Sequence, residues 1–118
     1  ADIMALGPKG EVIIVEVKVS RADLLGDGKW PDYLDYCDRY FWAVPMGFDL
    51  SLFDSEALWP ARTGLIVADQ YDAELVRPAP VEPLAAARRK AETLRFARRA
   101  ARRLTALADP EHVAELGW

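Results

Sequence analysis

Three charged residues, Asp2, Glu16 and Lys18, are of the types that bind a divalent metal ion and a phosphate. Two carboxylates held close together repel each other unless a cation or a proton lies between them. A hard ion such as Mg²⁺ binds carboxylate oxygens and keeps waters or substrate phosphates as its other ligands. A lysine on the same face would then meet a phosphate or the attacking water. The ordinary alternative is that Glu16 and Lys18 form the solvent face of an antiparallel strand.

The elements that position these residues are two strands joined by a tight turn. Pro8 suits the first central position of a type I turn, and Gly10 suits the left-handed residue of a three-residue hairpin loop. This turn predicts that Asp2 lies opposite Glu16, with their Cβ atoms about 5 Å apart. Because side chains alternate between the faces of a strand, Lys18 shares that face. A register shifted by one residue would move Asp2 to the other face.

Both faces of this hairpin are apolar. One carries Met4, Leu6, Val12 and Ile14, and the other carries Ile3, Ala5, Ile13, Val15, Val17 and Val19. We therefore expect a strand that is covered on both sides. Charged side chains at the end of a covered face are partly shielded from water. Clusters of such buried charges are concentrated at functional sites.

An aspartate followed, after a short hairpin, by Glu16, Val17 and Lys18 resembles the motif of the PD-(D/E)XK nuclease superfamily. The longer run EVKVSRADLLGDGKWPDYLDYCDRYFWAVP resembles the MmcB-type, DNA-repair-related bacterial family placed in that superfamily. The resemblance extends through TGLIVAD and the arginine-rich segment that follows. It implies a restriction-endonuclease-like α/β core, with DNA as the partner, Mg²⁺ or Mn²⁺ as the cofactor, and no organic cofactor. A homodimer is one possible oligomeric state, because many enzymes of the superfamily dimerise.

The resemblance also implies roles for individual residues. Asp2 and Glu16 become metal ligands, the carbonyl of Val17 becomes a third ligand, and Lys18 orients or activates the water. Some members have a Gln-X-X-X-Tyr helix, for which the nearest match runs over residues 29–33, with lysine in place of glutamine. The superfamily core usually starts with a helix before the first strand, often supplying another acidic ligand. This chain begins inside the strand, so we expect that helix to be absent and the site to be incomplete.

The composition is that of an ordinary globular protein. The chain has 118 residues, 52% of them hydrophobic and 29% charged, which suits one domain over residues 1–118. No apolar run reaches the roughly 18 residues that span a bilayer, so we expect no membrane partner. Cys37 is the one cysteine, which excludes an internal disulfide and fits a reducing cytoplasm. The one histidine, His112, together with the one cysteine excludes a four-ligand zinc cluster, and its place in the C-terminal tail argues against a Ser-His-Asp device.

Basic residues are concentrated near the end of the chain. Residues 84–104 hold eight basic residues and one acidic residue, a charge of +7, which leaves −11 for the rest of a chain whose net charge is −4. We predict a helix over residues 84–108 whose apolar stripe packs on the sheet and whose arginines face outward. The arginines would bind DNA phosphates, with strong salt dependence, or would pair with the acidic body. Seven of the eight are arginine, which favours bidentate recognition of phosphate or carboxylate.

The remaining pattern predicts an α/β fold around one mixed sheet. We expect a loop or short turn over residues 21–28, helices over 30–39 and 51–58, a strand over 40–44 that pairs in parallel with the hairpin, and antiparallel strands over 63–68 and 73–77.

Further nucleic-acid contacts are predicted at both ends of the chain. They are Ser20, Arg21, Lys29, Tyr33, Arg88, Arg95, Arg99 and Arg102. Ser20 and Arg21 would alternatively cap a helix or turn. Asp23 and Asp27 either add to the metal site or form turns. The tryptophans at 30, 42 and 59 either pack in the core or stack on bases.

Three functions fit these features. The first is a metal-dependent deoxyribonuclease acting in DNA repair. The second is a DNA-binding module that keeps the fold without cleaving. The third is an interaction protein whose arginine helix binds an acidic partner or a second subunit.

Overall fold

A computed structural model describes residues 2–109 and 111, so His112 lies outside the described residues. The chain divides into two compact units between Leu84 and Ala85. The first unit is a mixed five-stranded sheet with short helices, and the second contains one long helix, α2 (Ala86–Ala108). The predicted α/β class is therefore confirmed.

The five strands follow one another across the sheet in chain order. They are β1 (Ile3–Leu6), β2 (Val12–Val17), β3 (Arg39–Pro45), β4 (Thr63–Ala68) and β5 (Ala73–Arg77). β3 pairs in parallel with both β2 and β4, whereas the outer strands β1 and β5 pair antiparallel with their neighbours. The predicted parallel pairing of the hairpin with the third strand is thus confirmed.

The first hairpin has the predicted register. Met4 lies opposite Ile14 and Leu6 opposite Val12. The Gly7 N–H donates to the Glu11 carbonyl at 2.8 Å, and Gly10 has the left-handed φ of 85° that the loop requires. Local turn chemistry therefore determines which residues of β1 and β2 face each other.

The segment between β2 and β3 differs from the prediction. Residues 21–28 contain a short helix, α1 (Arg21–Leu25), and the helix predicted over residues 30–39 is a 3₁₀ helix, Trp30–Tyr36. It ends there because Asp38 is tied to β2: its carboxylate accepts the Val12 N–H at 2.7 Å, and its own N–H donates to the Val12 carbonyl at 2.8 Å. These bonds require extended backbone, so β3 begins at Arg39.

The helix predicted over residues 51–58 is also different. It consists of two 3₁₀ helices, Leu50–Asp54 and Glu56–Leu58, separated by Ser55 in an extended conformation. Ser55 accepts the Ala57 N–H and thereby starts the second of them. A side-chain cap in the middle of the segment thus prevents one continuous helix.

The core lies on one face of the sheet. Val12 and Ile14 of β2 are buried there together with Tyr40 and Trp42 of β3. On the opposite face, Val17 and Val19 are 41% and 70% exposed. The prediction that both faces of the second strand are covered is therefore wrong at this end of the strand.

The long helix α2 begins two residues later than predicted and ends where expected. Leu94 and Leu104 of the predicted apolar stripe are exposed, and packing of that stripe on the sheet stays a prediction. Within residues 2–109 and 111, no helix combines the length and apolar character needed to span a bilayer.

Candidate active site

Asp2 and Glu16 meet where the hairpin strands approach their shared end. The Asp2 N–H donates to Glu16 Oε1 at 3.2 Å, and the Val17 N–H donates to Asp2 Oδ2 at 2.8 Å. These two contacts hold the Asp2 carboxylate beside the backbone that carries Glu16. The predicted pairing of the two acids is therefore present in the structure.

The Glu16 side chain lies in a buried position, with 6% of the residue exposed. Burial raises the pKa of its carboxyl above the usual value, and the neighbouring Asp2 charge raises it further. A bound cation would relieve both effects, so this donor set fits a hard divalent metal. No three His, Cys, Asp or Glu side chains within residues 2–109 and 111 are grouped to hold a metal. Binding of a metal by Asp2, Glu16 and the Val17 carbonyl therefore stays a prediction.

Lys18 lies on the same face, but its ammonium group has acidic partners of its own. Its Nζ donates to Asp27 Oδ2 at 2.9 Å and lies 3.8 Å from Asp23 Oδ1. Burial alone would lower the pKa of Lys18, but the hydrogen bond and charge of Asp27, followed by the charges of Asp23 and Glu16, raise it overall. Lys18 is thus a cation that Asp27 holds in place and whose charge interacts with Glu16, rather than a neutral base.

The pKa of Asp27 reflects the same contact. Burial alone would raise it, but the hydrogen bond from Lys18 and the backbone N–H groups of Lys29 and Trp30 lower it overall. The predicted turn-forming role of Asp27 is confirmed by the bond from the Lys29 N–H at 3.1 Å. Its contact with Lys18 is an additional role that the sequence did not indicate.

Three aromatic rings form a wall on the same side of the sheet. Trp30 contacts Tyr40 and Trp42 at centroid distances of 5.5 and 4.9 Å, and Trp42 lies opposite Glu16 in the sheet register. Burial, followed by the charge of Glu16, raises the pKa of Tyr40, which stays a phenol. Among the described residues, the Tyr40 hydroxyl and Trp42 Nε1 have no hydrogen-bond partner. The wall excludes water from one side of Glu16 and assigns Trp30 and Trp42 to the core.

The nucleic-acid residues predicted in the first unit lie near Lys18 in sequence but differ in exposure. Ser20 accepts the Asp23 N–H at 3.1 Å and caps α1, which confirms its alternative role. Arg21 and Lys29 are exposed. Tyr33 is half-buried against the core. Arg21 and Lys29 are therefore accessible to a ligand, Tyr33 is partly accessible, and nucleic-acid binding by all three stays a prediction.

The nucleic-acid residues predicted in the second unit lie along α2. Arg95 Nη1 lies 3.2 Å from Glu92 Oε1, and Arg88 Nη1 lies 3.8 Å from the same oxygen. Glu92 is only 1% exposed, so two predicted phosphate ligands share a buried carboxylate. Arg99 and Arg102 are exposed. A groove of about 680 Å³ is lined by Ala91, Leu94, Arg95, Arg98, Arg99, Ala101 and Arg102.

Two contacts of candidate functional residues were missed by sequence reasoning. The aspartate at 27 stands before a glycine, a pattern that indicates a turn and gives no sign of its contact with Lys18. Glu92 lies four residues after Arg88 and three before Arg95, a spacing that indicates ion pairs on a helix. The sequence therefore contained a signal for these two ion pairs.

The chain resembles known proteins over most of its length. A family model described as "DNA repair protein MmcB-like" matches residues 1–111. The solved structure of a protein of unknown function from Silicibacter pomeroyi is 56% identical and has a TM-score of 0.80, covering 92% of this chain and 70% of that chain. None of the curated proteins compared with this sequence matches it.

Proposed function

Since the chain belongs to the MmcB-like family of DNA repair proteins, we propose that it is a metal-dependent deoxyribonuclease of the PD-(D/E)XK type with a restriction-endonuclease-like core. The observation that carries the proposal is the contact between the Asp2 N–H and Glu16 Oε1, with Lys18 on the same face. A buried carboxylate next to a second carboxylate has a raised pKa, because its ionised form is unfavourable there. Groups perturbed in this way are concentrated at functional sites, and a bound metal ion would stabilise the ionised form.

Each residue of the site has a defined task in this proposal. Asp2 and Glu16 would hold Mg²⁺ or Mn²⁺. When bound, the metal supplies positive charge that polarises the scissile phosphate and makes a water more acidic. Lys18, held as a cation by Asp27, stabilises the negative charge that develops on the phosphate. Water has little access to the side of Glu16 covered by Trp42, which strengthens these charge interactions.

The arginines of α2 bind the DNA backbone in this proposal. Exposed Arg99 and Arg102 line the groove on that helix, and guanidinium groups bind phosphate oxygens in a bidentate manner. Residues 1–118 would thus act as one nuclease-like domain, in which the first unit carries out the chemistry and the second binds DNA.

A DNA-binding module that does not cleave is the second candidate. The observation that favours it is that Lys18 donates to Asp27 at 2.9 Å, so one of its three donors is already occupied. The lysine at position 29, where related helices have glutamine, also favours it.

The two candidates are separated by a cleavage assay. The protein is incubated with labelled single-stranded, duplex and branched DNA in Mg²⁺, Mn²⁺ or EDTA. Asp2→Asn and Lys18→Ala are run in parallel, with Glu74→Gln as a control that removes an exposed acid on β5. We expect metal-dependent products from the wild type and from Glu74→Gln, and none from the other two variants.

The same gels measure binding in EDTA. Intact DNA in every lane, with shifted complexes for all the proteins, would overturn the nuclease and favour the binding module. Cleavage that persists in Asp2→Asn or in EDTA would contradict the assigned site.

A further inference from the structure

Lys18 is held at both of its ends. Its backbone N–H donates to the Ala43 carbonyl of β3 at 2.9 Å. Its ammonium group donates to Asp27 Oδ2 at 2.9 Å, and its side chain is only 8% exposed. A long, flexible side chain is therefore restricted to a single direction before any ligand arrives.

Asp27 is itself anchored. While one of its oxygens binds Lys18, the other accepts the Lys29 N–H at 3.1 Å at the start of the 3₁₀ helix Trp30–Tyr36. The first residue of that helix, Trp30, packs against the core residues Tyr40 and Trp42. The position of the Asp27 carboxylate is thus determined by the core and not by a mobile loop.

The second acid near Lys18 is placed differently. Asp23 Oδ1 lies 3.8 Å from the ammonium nitrogen, and its side chain is 43% exposed, compared with 20% for Asp27. Its other oxygen accepts the Val19 N–H at 3.3 Å. Asp23 therefore adds charge but does not restrict the direction of Lys18, and it provides a natural control.

We propose that Asp27 is the positioning residue of the active site, a role that rests on the proposed nuclease function. It fixes the direction of the Lys18 ammonium group, on the strand face that also carries Glu16, so that the donors that Asp27 leaves unused point to the anionic phosphate. Asp27 itself contacts neither the metal nor the DNA. Its contribution comes from pre-organisation: the cation has its direction before the substrate binds.

The turn requires a hydrogen-bond acceptor at position 27, whereas the positioning of Lys18 requires a negative charge. An asparagine at 27 can still accept the Lys29 N–H, because its amide has a carbonyl oxygen. It lacks the charge that attracts Lys18. Asp27→Asn therefore keeps the turn and removes the ion pair, and Asp27→Glu restores the charge at a slightly different distance.

The first readout is steady-state cleavage of DNA. We expect Asp27→Asn to lower kcat by about 10- to 100-fold, the range for a misplaced catalytic group, with KM for DNA and the Mg²⁺ requirement little changed. Asp23→Asn should stay within about threefold of the wild type, since its contact is longer and exposed. Asp27→Glu should recover part of the lost kcat. A structural role alone would lower the amount of folded enzyme without this graded recovery.

The second readout does not depend on activity. The chain has four lysines, and Lys18 is the buried one, so its ammonium group should give an NMR signal protected from exchange with water. Lys18→Ala assigns the signal. We expect the signal to disappear in Asp27→Asn and to remain in Asp23→Asn, with thermal unfolding measured on each variant. If Asp27→Asn does not fold, Asp27→Ser, which also accepts the turn hydrogen bond, takes its place.

The outcomes separate this inference from the proposed function. If the wild type cleaves no DNA, the nuclease proposal fails, and with it the catalytic part of this role. The NMR signal then shows whether Asp27 still fixes Lys18 as a structural pair. An unchanged kcat and a retained ammonium signal in Asp27→Asn would overturn the positioning role even in an active nuclease.

Discussion

Replacing Glu92 by glutamine should change how DNA binding responds to salt. Glu92 is buried and lies 3.2 Å from Arg95 and 3.8 Å from Arg88, so it neutralises two cations on the helix proposed to bind DNA. A DNA phosphate must compete with this carboxylate for both arginines. Removing the charge should let Arg95, which makes the shorter contact, bind a phosphate.

The size of the effect follows from counterion release. Each additional phosphate contact steepens the plot of log affinity against log salt by about 0.9, so a phosphate contact made by Arg95 adds a slope of about 0.9. The gain in affinity at 50 mM salt should then exceed the gain at 200 mM by about threefold. Arg88 and Arg95 are well exposed but Glu92 itself is buried, so thermal unfolding of Glu92→Gln is measured alongside DNA binding.

Fluorescence anisotropy of labelled duplex DNA, titrated in EDTA between these two salt concentrations, measures the slope without cleavage. Glu74→Gln makes the same change of net charge at an exposed site on β5. Equal slopes of log affinity against log salt for Glu92→Gln and Glu74→Gln would contradict this prediction. The gain in DNA affinity would then come from the change of net charge alone.

Three further predictions concern stability. Burial and Asp2 raise the pKa of Glu16, so its ionised form opposes folding above that pKa. Glu16→Gln should therefore raise the melting temperature at pH 7 to 8 in EDTA, by an amount that shrinks as the pH falls through the raised pKa. Asp38→Ala leaves two backbone N–H groups without their acceptor and should cost at least about 2 kcal/mol in urea unfolding. Trp42→Ala should cost about 3–5 kcal/mol in the same assay, whereas exposed Trp59→Ala should cost less than about 1 kcal/mol.

The hairpin was predictable because the residues that determine its register lie within the hairpin itself. Pro8 and Gly10 determine the turn, the turn determines which residues face each other, and alternation determines which side chains share a face. The approach of Asp2 to Glu16 follows from these three steps. The strands β4 and β5 were likewise predicted with their observed bounds, because short apolar or β-branched runs are delimited by turn residues.

The error over residues 30–39 arose because distant contacts determine the backbone there, whereas the error over residues 51–58 came from the local cap made by Ser55. Asp38 stops the helix predicted over residues 30–39 because its carboxylate binds Val12 on β2 and Leu84 at the end of the first unit. Neither partner is near in sequence. The direction of Lys18 was unpredictable for the same reason, since Asp27 reaches it only through a loop whose path depends on the packing of Trp30.

The most direct test of the central claim is single-turnover cleavage of DNA at increasing Mg²⁺, with wild type, Glu16→Gln and the control Glu11→Gln, which changes an acid in the turn of the same hairpin. We expect a rate that saturates with Mg²⁺ for wild type and Glu11→Gln, and no cleavage by Glu16→Gln at any Mg²⁺ concentration. Equal rates for wild type and Glu16→Gln would contradict the central claim.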